Sequence, residues 1–182
     1  MILTDAEILR QMEAGLIVIE PFDRKSLGSN SYDVHLGHTL AVYEDNLLDA
    51  KVHNAIRYLE VPEEGFVLQP DELYLGSTYE YTETLAHVPF LEGKSSVGRL
   101  GIDIHATAGK GDIGFRNHWT LEISVKKPVR VYTGMPIGQL IYFRVAGEVL
   151  TSYDRKASAK YNERCSAPVE SMMWKNFPWL KR

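Results

Sequence analysis

An all-β barrel or jelly roll is the fold class this sequence predicts, and three observations predict it. Short runs rich in β-branched and aromatic residues recur along the chain, glycine and proline turns separate them, and only the N-terminus carries a helix pattern. At the start, Thr4-Asp5-Ala6-Glu7 fits a capping box in which Thr4 and Glu7 satisfy each other's orphan backbone donors. Ile8, Leu9 and Met12 follow as an apolar stripe, and Gly15 is the expected terminator. Residues 16–19 then form a β-branched run ended by Pro21. Residues 31–36 and 39–43 read as two strands flanking Gly37. Further strands are expected over residues 65–68, 73–75, 119–125, 129–132 and 137–145.

Composition narrows the classes. The chain has 182 residues, 45% apolar and 24% charged, enough for one domain with a tail and a sizeable core. No apolar run approaches the ~20 residues of a membrane-spanning helix, and no basic region followed by an apolar stretch opens the chain, so neither a membrane partner nor a signal peptide is expected. Cys165 is the single cysteine, which rules out an intrachain disulfide framework and cysteine-based zinc sites and suits a reducing cytoplasm. Twenty basic residues against 24 acidic ones argue against a nucleic-acid coat. The charge is uneven, however. Residues 151–182 hold seven basic and three acidic residues, a local +4, leaving −8 on the first 150 of the total −4. The expected division is therefore a core domain over 1–150 and a basic arm over 151–182. That arm is either a solvated terminus or a flap that closes on a polyanion.

Three clusters could carry chemistry. Glu92-Gly93-Lys94-Ser95-Ser96-Val97-Gly98-Arg99 combines close-approach glycines, two hydroxyls and two cations. That suits phosphate binding or an ordinary polar turn, and it lacks Walker A spacing. The second, His105 to Phe115, has three glycines in six residues (Gly109, Gly111, Gly114), with Asp112 either orienting a sugar hydroxyl or water, or simply facing solvent in a turn. In the third, alternation puts Trp119, Leu121, Ile123 and Val125 on one face and Thr120, Glu122 and Ser124 on the other. Glu122 is a candidate general base if that polar face lines a pocket, and an ordinary exposed residue if it does not. The six histidines are scattered and predict no metal site, and no motif supports a Ser-His-Asp hydrolase.

In this order and spacing the three clusters resemble the dCTP deaminase family, which shares its fold with the trimeric dUTPases. The matching blocks are Glu92 to Gly101, Thr107-Ala108 with Asp112, Gly114 and Phe115, and Thr120-Leu121-Glu122. Ser31-Tyr32-Asp33-Val34, Gly134-Met135, Ile137-Gly138-Gln139-Leu140, Lys160-Tyr161 and Trp174-Lys175-Asn176-Phe177 extend the likeness over nearly the whole chain. The resemblance implies a dUTPase-like distorted β-barrel with a short N-terminal helix and a C-terminal arm. It also implies a homotrimer with sites between subunits, and magnesium carried by the triphosphate.

By the same resemblance, Glu122 takes a proton from the water attacking C4 of cytosine and returns one as ammonia leaves. Ser95 and Arg99 help hold water and base, with Arg99 keeping Glu122 ionised. Lys94, Ser95 and Ser96 meet the phosphates, within a contact stretch that includes Val97 and Gly98. Asp112 binds the 3′-hydroxyl, Phe115 packs on the sugar, and Thr120, Leu121 and Glu122 form the base-reading strand. Gln139, Tyr153 and Lys160 match tail-side contacts. Zinc deaminases need H-x-E and P-C-x-x-C, which one cysteine cannot supply, so water activation would fall to side chains.

The product divides the family between dUTP and dUMP with pyrophosphate. Thr107-Ala108-Gly109 resembles the dUMP-forming branch, in which Asp112 would also orient the water attacking the α-phosphate. A uracil-only dUTPase and a non-catalytic nucleotide sensor are the alternatives on this scaffold. Two departures stand out: Lys110-Gly111-Asp112-Ile113-Gly114 where I-D-P-G is usual, expected to loosen the turn, and Arg164 in place of a glutamine that would face phosphate.

Overall fold

The computed structural model describes residues 1–105 and 107–177. Ala106 of the second cluster and Lys181 and Arg182 of the basic arm lie outside the described residues. The chain opens with helix α1 (Asp5–Glu13) and closes its C-terminus through Gly15, whose φ of +69° lies in the left-handed region that favours glycine. The predicted capping box does not form. Thr4 occupies the N-cap without a side-chain bond, and the Glu7 carboxylate turns inward to Arg144 Nη2 at 2.6 Å, Gln11 Nε2 at 2.9 Å and the Arg10 guanidinium. Charge-assisted bonds to two guanidiniums outweigh one backbone N–H.

Twelve strands follow among the described residues. β1 (Ile17–Glu20), β6 (Tyr81–Thr84) and β9 (Arg116–Asn117) form one small antiparallel sheet, in the order β1-β6-β9. β4 (Phe66–Leu68) pairs with β11 (Val129–Val131). The main sheet runs β7 (His87–Gly93), β12 (Pro136–Arg144), β2 (Tyr32–Tyr43), β5 (Tyr74–Thr78), β10 (Thr120–Val125), β8 (Ile102–Asp103), with β3 (Ile56–Glu60) also on β2. The sheets surround one apolar core that includes Tyr32, Leu40, Leu68, Leu121, Ile123 and Tyr142.

β2 is one strand of twelve residues rather than two. Its register to β5 shifts between Leu36 and Leu40, so Gly37 sits in a bulge that bends the strand without ending it. A Cβ there would lie 2.8 Å from Ser77 Oγ, which explains the glycine. Past the last strand the described residues carry two 3₁₀ turns, Tyr153–Arg155 and Met173–Asn176.

Candidate active site

β10 delivers the predicted alternation: Leu121, Ile123 and Val125 are buried in the core, while Thr120, Glu122 and Ser124 face the other way. Thr120 and Glu122 open onto a cavity of about 790 Å³, the size of a small-ligand site. Leu75 of β5 and Tyr43 of β2 contribute to its walls from the barrel, Thr107, Ala108 and Lys110 to Asp112 from the glycine loop, and Tyr161, Val169 to Ser171 and Met173 from the C-terminal segment.

The glycine loop is laid against the outer edge of β7. Leu91 N donates to Gly109 O at 2.7 Å, and Gly111 N donates to Pro89 O at 2.8 Å. Pro89 is tolerated because an edge strand can dispense with one donor. Gly111 leaves room for the Trp119 ring, since a Cβ would lie 2.6 Å from Trp119 Cη2. Trp119 is fixed by its own bonds to Thr78 and Thr82 hydroxyls, at 2.9 and 3.0 Å. The turn carrying Asp112 is held despite the missing proline. Phe115 N donates to Asp112 O, Gly114 N to Thr84 O and Tyr153 N to Ile113 O, at 3.1, 2.7 and 2.7 Å. Gly114, at φ +89°, meets the turn's demand for a left-handed residue. Phe115 then packs between Trp119 and Tyr153, with ring centroids 4.9 and 5.9 Å away.

Burial pushes the Glu122 carboxyl above the ordinary glutamate range, while charge on nearby His105 pulls it down. The expected Arg99 partner is not beside it within the chain. His105, which opens the second cluster, acts on Glu122 without itself lining the cavity. Its Nε2 donates to Leu91 O at 2.7 Å, and Gly109 makes room for the ring, a Cβ there lying 2.5 Å from His105 Cε1. The sequence signal for His105 was the glycine four residues on. Asp112 is paired with Lys110 Nζ at 2.6 Å and Lys156 Nζ at 3.5 Å, and Lys110 chiefly holds its carboxyl below the ordinary range. Lys110 therefore acts on Asp112 itself.

The other predicted residues gather elsewhere. Lys94 pairs with Asp33 of β2, Ser95–Gly98 form a single helical turn (α2), and Arg99 Nη1 reaches Ser95 Oγ at 3.4 Å. Ser95, Ser96 and Arg99 are exposed. Gln139 on β12 stands in register with Asp33 and Glu92 and accepts from Ser31 Oγ at 3.3 Å. None of Lys94–Arg99, nor Gln139, lines the cavity that holds Glu122.

Several side chains expected at substrate are committed to other contacts. Val97 and Leu121 are core residues, 3% and 0% exposed, so only their backbones are available to a ligand. The Thr120 hydroxyl accepts from Val169 N at 3.1 Å. Tyr153 lines the cavity while its hydroxyl accepts from Lys160 N and Tyr161 N, at 3.3 and 3.2 Å; Lys160 itself stays off the wall. Arg164 turns outward, its guanidinium 3.9 Å above the Tyr81 ring and 3.8 Å from the Glu20 carboxylate. Another cavity, of about 440 Å³ beside Tyr32, His35 and Glu80, contains none of the predicted site residues. Among the described residues, no group of three or more His, Cys, Asp or Glu could hold a metal ion, and no helix is long and apolar enough to cross a membrane.

A distorted β-barrel with a carboxylate at the wall of a ligand-sized cavity, an aromatic wall and a separate turn of phosphate-type donors defines a class of small-molecule enzyme. The chain belongs to the dCTP deaminase-like family, whose model matches residues 2–145. It is 49% identical over 162 residues to the dUMP-forming dCTP deaminase of Clostridium acetobutylicum, covering 88% of this chain and 90% of that one. It is 47% identical over 178 residues to the protein of the same description from Clostridium beijerinckii, covering 97% and 99%. In fold it is similar to the 2′-deoxycytidine 5′-triphosphate deaminase of Agrobacterium tumefaciens, with a TM-score of 0.62 at 21% identity, over 78% of this chain and 47% of that one.

Proposed function

We propose that this protein deaminates dCTP hydrolytically and carries the product on to dUMP and pyrophosphate in the same site. The observation that carries the reading is the Glu122 carboxylate, half-buried on β10 at the cavity that Asp112, Phe115 and Trp119 also line. It stands in a chain nearly half identical to proteins described as dUMP-forming dCTP deaminases.

Glu122 takes a proton from water as the oxygen adds to cytosine C4. It then delivers a proton to the exocyclic nitrogen, so that ammonia leaves and a carbonyl remains. A carboxyl raised by burial is suited to both halves of that transfer. Asp112, kept ionised by Lys110, binds the sugar 3′-hydroxyl and orients the second water toward the α-phosphorus, where the bond to the leaving pyrophosphate breaks. Phe115 packs on the deoxyribose.

Lys94, Ser95, Ser96 and Arg99 are donors suited to phosphate oxygens, and the structure keeps them apart from Glu122 within one chain. We read this separation as two half-sites, with one subunit of a homotrimer supplying the phosphate turn to the cavity of the next. Magnesium fits as an ion carried by the triphosphate, since the turn offers donors rather than metal ligands; it would neutralise and orient the phosphates. Residues 1–150 form the catalytic barrel and 151–182 the arm that closes it, in a cytoplasmic enzyme.

The test is dCTP incubated with magnesium while ammonia, dUTP, dUMP and pyrophosphate are followed in time. Ammonia with matching dUMP and pyrophosphate is expected, whereas dUTP accumulating without pyrophosphate removes the second step. Glu122→Gln is expected to bind nucleotide and release no ammonia; wild-type turnover in that variant would overturn the assignment.

A further inference from the structure

We infer that Asn117 is the positioning residue that seats the C-terminal arm over the cavity, an inference that rests on reading the cavity as the nucleotide site. Asn117 lies at the end of β9, is 3% exposed, and lines the cavity beside Trp119 and Thr120. Its carboxamide has two donor hydrogens and an oxygen with two lone pairs, and all four are used. Nδ2 donates to Tyr161 O at 3.2 Å and to Glu163 O at 2.8 Å; Oδ1 accepts from Cys165 N at 2.9 Å and from His118 N at 3.0 Å. Three of the four bonds go to the arm, and the one that stays in the barrel goes to the adjacent residue. A side chain serving only the barrel would distribute its bonds the other way.

The reach of this seat extends past residue 165. Ser77 Oγ on β5 donates to Ser166 O at 2.7 Å, so the arm leaves Asn117 already directed along the barrel. Val169 N then meets the Thr120 hydroxyl at 3.1 Å and Ser171 N meets the Tyr43 hydroxyl at 3.1 Å, bringing Val169, Glu170, Ser171 and Met173 onto the cavity wall. On the other side of the seat, fixing the Tyr161 carbonyl fixes where its ring enters the cavity near Glu122. Asn117 thus sets arm register at the point where the chain crosses from outer wall to cavity. Because its amide also borders the cavity, water can replace the arm's groups when the arm lifts, so the seat can be left and retaken without a buried unpaired polar group.

Asn117→Asp separates this role from fold. The carboxylate keeps the shape and both acceptor contacts but loses both donors to the arm. The single cysteine, Cys165, sits at the seat and is half-buried, so its thiol reports arm opening without nucleotide. In Asn117→Asp, thiol labelling in nucleotide-free enzyme is expected to accelerate about tenfold or more, from two lost hydrogen bonds. The KM for dCTP should rise by a similar factor, with kcat within about twofold. Unchanged labelling and KM in a folded variant overturn the inference. If the variant fails to fold, hydrogen exchange of the wild type decides: a Cys165 amide as fast as an unstructured one overturns it, and one slowed about a hundredfold supports it. Labelling and exchange involve no substrate. A wild type that is inert toward dCTP but shows the expected exchange and labelling therefore refutes the functional reading alone.

Discussion

Two neighbours of opposite effect govern Glu122. Burial in the cavity wall disfavours its charged form, and His105 favours it when protonated. The trimer reading adds a third: Arg99 of an adjoining subunit would bring a permanent positive charge to a carboxyl that its own chain holds above the usual range. In the proposed mechanism Glu122 must be ionised to accept the water's proton, so anything that raises its pKa pushes the acidic limb of kcat/KM to higher pH. Replacing Arg99 by Gln removes the favourable charge, leaves the burial in place, and is expected to move that limb upward by about one unit or more. The pH profile of ammonia release checks it; a limb that stays put means Arg99 does not face Glu122. Residues of this kind were legible in sequence only where their chemistry came with spacing. Glu122 was marked by alternation and Asp112 by its glycines. Asn117 was not, because its partners in the arm lie 44 to 48 residues away in the chain and no local pattern encodes them, and His105 was marked only by Gly109 four residues on.

Strands announced by long apolar or alternating runs were found where expected, while short, exposed or polar ones such as β3, β6 and β8 were not. β10 and β12 carry alternating buried side chains and read as strands directly. β6 is Tyr-Thr-Glu-Thr, which reads as loop, yet Tyr81, Thr82 and Thr84 are buried and their threonine hydroxyls are paired: Thr82 serves Trp119 and Thr84 donates to His87 O at 2.6 Å. β7 was hidden by Pro89, and Gly37 suggested a break where the strand merely bends. The same glycine logic makes a prediction about packing between elements. Gly111 lets the glycine loop lie on β7 while Trp119 fills the space a side chain would need. Gly111→Ala drives a methyl against the indole and Pro89 Cγ, at 2.6 and 2.8 Å before relaxation. An overpacking cost of about 1–3 kcal/mol is expected in denaturant unfolding. Because Trp119 and Gly111 both line the cavity, the KM for dCTP should rise with it; unchanged stability would mean the loop can slide off the strand edge freely.

At the scale of the whole molecule, the uneven charge and the divided site have one explanation. The described part of the basic arm is seated on its own barrel through Asn117, Ser77, Thr120 and Tyr43, and residues such as Tyr161 and Val169 wall the cavity that holds Glu122 in the same chain. The exposed turn with Ser95, Ser96 and Arg99 does not line that cavity, and in the trimer reading it serves another. Each chain would then own one complete cavity and donate one phosphate turn, an arrangement that cyclic symmetry satisfies without leaving either half unused. Subunit mixing tests this directly. Glu122→Gln and Arg99→Ala are each expected to be inactive alone. Mixed in equal amounts, unfolded and refolded together, they assemble some sites from the intact cavity of one variant and the intact turn of the other. Random assembly gives such sites about a quarter of the time, so about a quarter of wild-type ammonia release should return. Sites contained within one chain would give none, because every chain in the mixture lacks one of the two residues.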